Sequence, residues 1–357
     1  MEIGIPRALS YYDYYPFWYG FFNDLGIKVV LSDPTTKQTM TSGSSLVVSE
    51  TCLPIKVYVG HVLNLLNKGV DKILVPSIQS IAPKIYNCSK IRGLPDLIRN
   101  VVKTDFTMIE ATLDKSETGQ GLYDFLAEIA APFGITDKKV IKRASKAGWK
   151  VYNNFQVMTR SGISYKMALK SAIENKVIIA SQAKIHPISI AVISHGYNLY
   201  DERVSMKILD KLENLDVKPY TADQLSTEQM LEGISSLDAQ LYWANESEIT
   251  GAASHYIQDN KIDGVITINA FGCGPDSLMI DKISRFAKNQ SKPILNLSID
   301  EQTGEAGFVT RIEAFVDMLF RKKRAKIVNK MQLGEEQNSE EKIKGIEDRI
   351  SNSLSNN

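Results

Sequence analysis

At 357 residues, with 43% hydrophobic and 23% charged side chains, the chain has a globular composition and enough length for two ordinary domains. Its 42 Lys and Arg balance 41 Asp and Glu, leaving a net charge of +1, which excludes whole-molecule attraction to nucleic acid or an anionic membrane. Apolar runs stay well below the roughly 20 residues that span a bilayer, and the chain enters its first strand with no leader pattern, so a cytoplasmic location is expected.

In chain order, Ile3 to Ile5 reads as a strand, followed by a loop with Tyr12-Asp13, an aromatic helix around Pro16 to Leu25 and the strand "IKVVLSD". Pro54 to Lys68 sets Ile55, Val59, Val62, Leu63 and Leu66 on one helical face. Then come the strand "VDKILVPS", a loop, the helix "LPDLIRNVV" and the strand "FTMIEATLD" at 106–114. From residue 187 the plan recurs: "ISIAVIS", a loop with Tyr200-Asp201, a helix through Leu212, "VKPYTAD", a helix, "IDGVITINAFG", a helix, and "KPILNLSID". Matches such as "NKGVDKILV" with "NKIDGVITI" make this an internal repeat.

Strands alternating with helices at this spacing are βα units, and βα units build parallel sheets covered by helices. The expected fold class is therefore α/β, two Rossmann-like parallel-sheet domains with a helical segment between them. The expected bounds are 1–118 for the first domain, 119–185 for the helical insert, 186–329 for the second domain and 330–357 for a polar, frayed or disordered tail. Ligands of such sheets lie beyond the carboxyl ends of the strands, near the topological switch point.

Three cysteines in so long a chain argue against a disulfide framework. Cys273, in "AFGCGPDS", follows a strand and opens a helix, with Pro275 suited to the first turn. Cys88 follows the third strand of the first half after a longer loop, and Cys52, in "SETCLPIK", directly precedes the helix near Pro54. None lies inside an apolar run, where a packing thiol belongs. Helix N-termini stabilise thiolates through the macrodipole and unpaired N–H groups, while Gly272 and Gly274 let the backbone approach a bulky group closely. Cys52, Cys88 and Cys273 are therefore candidate metal ligands. Spacings of 36 and 185 residues lack the Cys-x-x-Cys pair usual for structural zinc, although a Cys3His zinc site stays open. His61 sits too far along its helix to join easily. Three thiolates and a vacancy suit a [4Fe-4S] cluster with one accessible iron.

The segments "ETCLPIK" (50–56), "NCSKIRGLPD" (87–96), "AFGCGPDS" (270–277) and "DEQTGEAGFVTRIEAFVD" (300–317) together resemble the 2-hydroxyacyl-CoA dehydratase D-component superfamily, and more closely its CoA-substrate activase-related (DUF2229-like) branch. The resemblance covers roughly residues 1–322. It implies two Rossmann-like domains holding an oxygen-sensitive [4Fe-4S] cluster, or half of a shared double-cubane cluster, through Cys52, Cys88 and Cys273. It further implies an ATP-hydrolysing activase as electron donor, a homodimeric or paralogous partner subunit, and reduction or dehydration of a small substrate such as an acyl-CoA. A non-catalytic iron-sulfur carrier or scaffold of the same system is the alternative. The chain has no Walker A motif, since "GCGPDS" lacks the lysine.

Four acids complete the candidate set. Glu50, with Lys56, flanks Cys52 closely enough to tune a cluster by charge and hydrogen bonding. Asp300, Glu301 and Glu305 follow the last strand and suit acid or base work near a substrate, or simple capping of the helix whose buried face is Ile312, Phe315, Val316 and Leu319. "YYDYYPFWYGFF" at 11–22 carries nine aromatics, too many for one buried stripe, and suits an interface, a cavity wall or core packing. "RKKRAK" at 321–326 reads as a solvated helix end.

Overall fold

The computed structural model describes residues 1–116, 121–176, 178, 186–237, 243–326 and 328. The expected tail, 330–357, lies outside the described residues. Met1–Phe308 form one compact unit and Val309–Asn357 a second. In the second unit residues 309–326 are helical, with Ile312, Phe315, Val316 and Leu319 buried and the basic run at 321–326 exposed.

The first unit contains both expected sheets. Its early strands are β1 (Glu2–Ile5), β2 (Lys28–Leu31), β3 (Lys72–Leu74), β4 (Ser77–Ile78), β5 (Ser80–Ala82), β6 (Ile85–Tyr86), β7 (Thr107–Ile109) and β8 (Thr112–Leu113). The later ones are β9 (Ile188–Ile193), β10 (Val217–Tyr220), β11 (Gly264–Ala270) and β12 (Ile294–Ile299). Strand orders are β2-β1-β3-β7 and β10-β9-β11-β12, all parallel. The sequence repeat is thus matched by the same strand order in both halves. Each first strand, β1 and β9, is flanked by neighbours whose connections leave in opposite directions, which opens a crevice at its carboxyl end.

The reading of one strand over 106–114 is refined: the pairing breaks after Ile109 and resumes at Thr112, where β8 pairs with β4 outside the main sheet. A β5–β6 hairpin then carries the chain on toward Cys88. The aromatic helix begins earlier than its pattern suggested, spanning Tyr11–Asp24 with Pro16 inside.

The excess of aromatics has a packing reason. Tyr11, Tyr12, Tyr15, Phe17, Trp18, Phe21 and Phe22 are buried in one core with Ile3, Ile5, Ile109, Phe125, Ile129 and Ile141. The helix is therefore covered on two sides, by the sheet and by the inserted helices Leu122–Ala130 and Lys138–Arg160. At the crossing a Cβ on Gly20 would come within 2.9 Å of Gly148 Cα, and one on Gly148 within 2.7 Å of Phe17 O, so both positions need glycine for the backbones to touch. The second core joins Ala191, Ile193 and Val265 of the sheet to Ala252, Tyr256 and Ile283 of helices Ala244–Gln258 and Gly274–Asn289.

The helix Leu53–Asn67 is braced by the helix Lys37–Ser44. A Cβ on Gly43 would stand 1.8 Å from Lys56 O, and one on Gly60 2.0 Å from Thr39 O. Backbone cannot yield as a side-chain tip can, so Gly60→Ala should cost about 1–3 kcal/mol or more of stability, read as a shifted urea midpoint against wild type.

Candidate metal centre at three helix N-termini

Each cysteine caps a helix. Cys52 precedes Leu53–Asn67, Cys88 precedes Ser89–Arg92 and Cys273 precedes Gly274–Asn289, all three with extended backbone. Pro54 and Pro275 stand in the first turns of their helices, where a missing N–H costs nothing. Gly272 has φ +76, a left-handed conformation open to glycine, and uses it to turn the chain from β11 into the Cys273 cap. No sulfur makes a full capping hydrogen bond. The third-position amides Ile55, Ile91 and Asp276 nevertheless lie near enough to favour each thiolate.

The three loops converge. The Glu50 carbonyl, two residues before Cys52, accepts a hydrogen bond from Lys90 Nζ at 3.2 Å, two residues after Cys88. A Cβ on Gly272, beside Cys273, would lie 3.8 Å from that same carbonyl. Cys88 and Cys273 each feel the charge of Cys52. All three are half-buried, and desolvation is the main cause that raises every one of their thiol pKa values. Lys90 partly offsets this at Cys52. A cation or cluster entering the pocket would reverse that balance by displacing the protons.

Lys56, one turn into the Cys52 helix, is only 4% exposed. Its Nζ donates to Ser49 O at 2.9 Å and to Glu301 Oε1 at 2.6 Å. Glu301 follows β12, so this ion pair ties the Cys52 loop to the strand end of the second sheet.

The other acids singled out from sequence are engaged elsewhere: Asp300 within its own turn, Glu305 with a distant lysine. Asp300 Oδ1 accepts from Gln302 N at 2.9 Å and Thr303 Oγ1 at 2.7 Å. Glu305 pairs with Lys211 at 2.7 Å. The Glu50 carboxylate is held below its ordinary pKa by its own amide and by Ser49. Gly274 has no atom within 4 Å of a Cβ position, leaving open space beside Cys273. His61 is fully buried, with Nε2 2.9 Å from Thr35 Oγ1, and burial pushes its pKa down to about 3.

Sequence reasoning missed a second group. His195, Glu246 and Asp276 are buried, with ligand atoms all within 4.8 Å of one another. His195 follows β9 and caps the helix Gly196–Leu199; its Nε2 lies 2.7 Å from Asp276 Oδ1. Asp276 is three residues beyond Cys273 on the same helix. Tyr197 stacks on His195 at 4.9 Å, and its phenol feels the charges of Cys273 and Cys88. Burial alone would lower the His195 pKa, but the charge and hydrogen bond of Asp276, with Glu246 and Asp13, outweigh it and raise it to about 9.

The available signal for His195 was its place just past the first strand of the second repeat, the position Arg7 holds in the first. Glu246 carried none. Beside His195 lies a polar cavity of about 50 Å³ lined by Asp13, Asp223 and Glu248. Burial, reinforced by Glu248 and Asp223 and opposed by His195, lifts the Asp13 carboxyl to about 7.

These placements define the class: a repeated α/β protein with two parallel sheets and three cysteines at helix N-termini. The chain belongs to the family described as CoA enzyme activase uncharacterised domain (DUF2229), which matches residues 2–225. Residues 196–319 match the 2-hydroxyglutaryl-CoA dehydratase D-component. Cys52 and Cys88 fall in the first match and Cys273 in the second, and the resemblance read from the four sequence segments holds. No curated protein matches the chain.

Two outcomes test this geometry. Glu301→Gln leaves Lys56 buried without its counter-charge and should destabilise the protein by about 1–3 kcal/mol in urea unfolding, Glu301 being itself partly exposed. His195 binds its proton more tightly folded (about 9) than at its ordinary 6.5, so its stabilising effect is complete below pH 6.5 and disappears as pH rises through 9. The thermal midpoint of the metal-free protein should therefore fall as pH rises from 7 to 9, the raised Asp13 carboxyl adding to the fall at the lower end of that window, and His195→Gln should flatten its upper part.

Proposed function

We propose that the chain is an iron-sulfur protein of the 2-hydroxyacyl-CoA dehydratase kind, in which Cys52, Cys88 and Cys273 hold a [4Fe-4S] cluster or half of a shared double cubane. The observation that carries this reading is the meeting of three cysteine-capped helix N-termini around the Glu50 carbonyl. The donor set suits the group. Thiolates are the usual cluster ligands, N–H groups near the sulfurs temper the added charge, and the open flank at Gly274 leaves room for bulk.

In this reading an ATP-hydrolysing activase delivers a low-potential electron, and the cluster supplies one-electron chemistry to a small substrate such as an acyl-CoA. The partner subunit is a second copy or a paralogue. The chain's own residues have definable tasks. Lys56 and Glu301 hold the Cys52 loop against the second half. His195, protonated at neutral pH, places a positive charge on Asp276 next to Cys273 and offsets negative charge arriving at the thiols. A second cavity, of about 1140 Å³, favours catalysis over a pure carrier role, because a carrier has no need to enclose a ligand. Among the described residues no helix is long and apolar enough to cross a membrane.

Anaerobic purification with iron and sulfide analysis and electron paramagnetic resonance tests the proposal. Wild type should carry about four iron and four sulfide per cluster, and each of Cys52→Ser, Cys88→Ser and Cys273→Ser should lose most of the signal while staying folded. A colourless, iron-free wild type from an iron-replete anaerobic preparation sinks the proposal. Substrate-dependent reoxidation of the reduced cluster separates an enzyme from a carrier.

A further inference from the structure

The cavity of about 1140 Å³ opens at the carboxyl ends of four strands: Arg7 follows β1, Thr35 follows β2, Asp201 lies beyond β9 and Thr221 follows β10. It is larger than the 300–1,000 Å³ typical of small-molecule sites, so it has room for an organic molecule rather than only a bare ion.

Arg7 is the unexplained group in its wall. Its backbone is fixed, with Pro6 before it and its amide donating to Ser32 Oγ at 2.8 Å. Its guanidinium lies 6.0 Å from the Tyr11 ring centroid. Its Nε is buried with no hydrogen-bond partner, and no carboxylate of the described residues forms an ion pair with it. Asp201, on the same wall, is already satisfied by the Thr35 hydroxyl, the Tyr12 phenol and the amides of Arg203 and Val204. Arg7 as a whole is half-buried, but an Nε–H sealed from water without an acceptor is costly, and an acceptor from outside the chain would relieve it.

The geometry points to Arg7 as the anchor for an oxyanion, a carboxylate or phosphate group, on an organic ligand held in this cavity. A guanidinium fork meets such planar or tetrahedral oxyanions with two parallel N–H···O bonds, which an ammonium cannot do. Arg160 and Arg203 are exposed on the same cavity, on a wall that also carries acids such as Glu202 and Glu305, so it is Arg7 and not the overall charge that marks the site. Tyr165 and Tyr200, stacked on each other at 3.9 Å, line the same cavity and add aromatic surface to its wall. The inference stands apart from the iron-sulfur reading, since it uses none of the thiols, and the apoprotein can test it.

Isothermal titration of the full chain with glutarate, phenylacetate, inorganic phosphate and coenzyme A, in wild type, Arg7→Gln and Arg7→Lys, is the direct test. At least one of these anions should bind wild type, with a tenfold or greater loss in Arg7→Gln and an intermediate loss in Arg7→Lys. Preference among the four tells carboxylate from phosphate. Circular dichroism verifies that the variants fold. Should Arg7→Gln not fold, phenylglyoxal labelling of wild type followed by peptide mass mapping replaces it, and the bound anion should protect Arg7. Unchanged affinity in a folded Arg7→Gln, an absence of protection, or no binding of any of the four anions overturns the proposal.

Discussion

Three half-buried thiols brought to one place at helix N-termini are the constraint around which much of the first unit is arranged. Burial opposes their ionisation, and proximity compounds it, since Cys88 and Cys273 both sense Cys52. The counterweight comes from backbone: three helices begin at these sulfurs and point amide hydrogens toward them. Such surroundings are poorly suited to isolated thiolates.

Holding the sulfurs there requires long-range ties, because their positions are far apart in the chain. The Glu50 carbonyl links the Cys88 and Cys52 loops through Lys90. The buried Lys56 fixes the same loop to Glu301 beyond β12. Behind the Cys52 helix, the glycine contacts at Gly43 and Gly60 leave no slack for it to slide. The inserted helices contribute from the other side: Tyr165 donates to the Tyr12 carbonyl at 2.8 Å and stacks on Tyr200, so one side chain touches the segment after the first strand of both repeats.

Between the thiols and the large cavity runs a polar seam. Tyr200 and Asp223 line both cavities, and the small one reaches His195, which pairs with Asp276 on the Cys273 helix. Titratable groups with displaced affinities for protons are concentrated here, at the carboxyl ends of the strands, as in sites that move protons. The repeat supplied two such strand ends, and residues just past them, Arg7 after β1 and His195 after β9, reach the two cavities.

By itself the sequence determined the α/β class, the repeated strand order and the position of Cys52 and Cys273 at helix starts, because these follow from local periodicity, glycine and proline placement, and spacing. It also carried the family resemblance, through four short segments. The meaning of the aromatic run was only half legible: the excess of rings was visible, but not the inserted helix that covers their second face. Only the tertiary structure decided that Glu301 meets Lys56, that His195, Glu246 and Asp276 form one buried group, and that Arg7 lies on a cavity wall with its Nε unpartnered among the described residues. Those are pairings across dozens to hundreds of residues, set by how two sheets face each other, and no local pattern encodes the distance between side chains that the fold alone brings together.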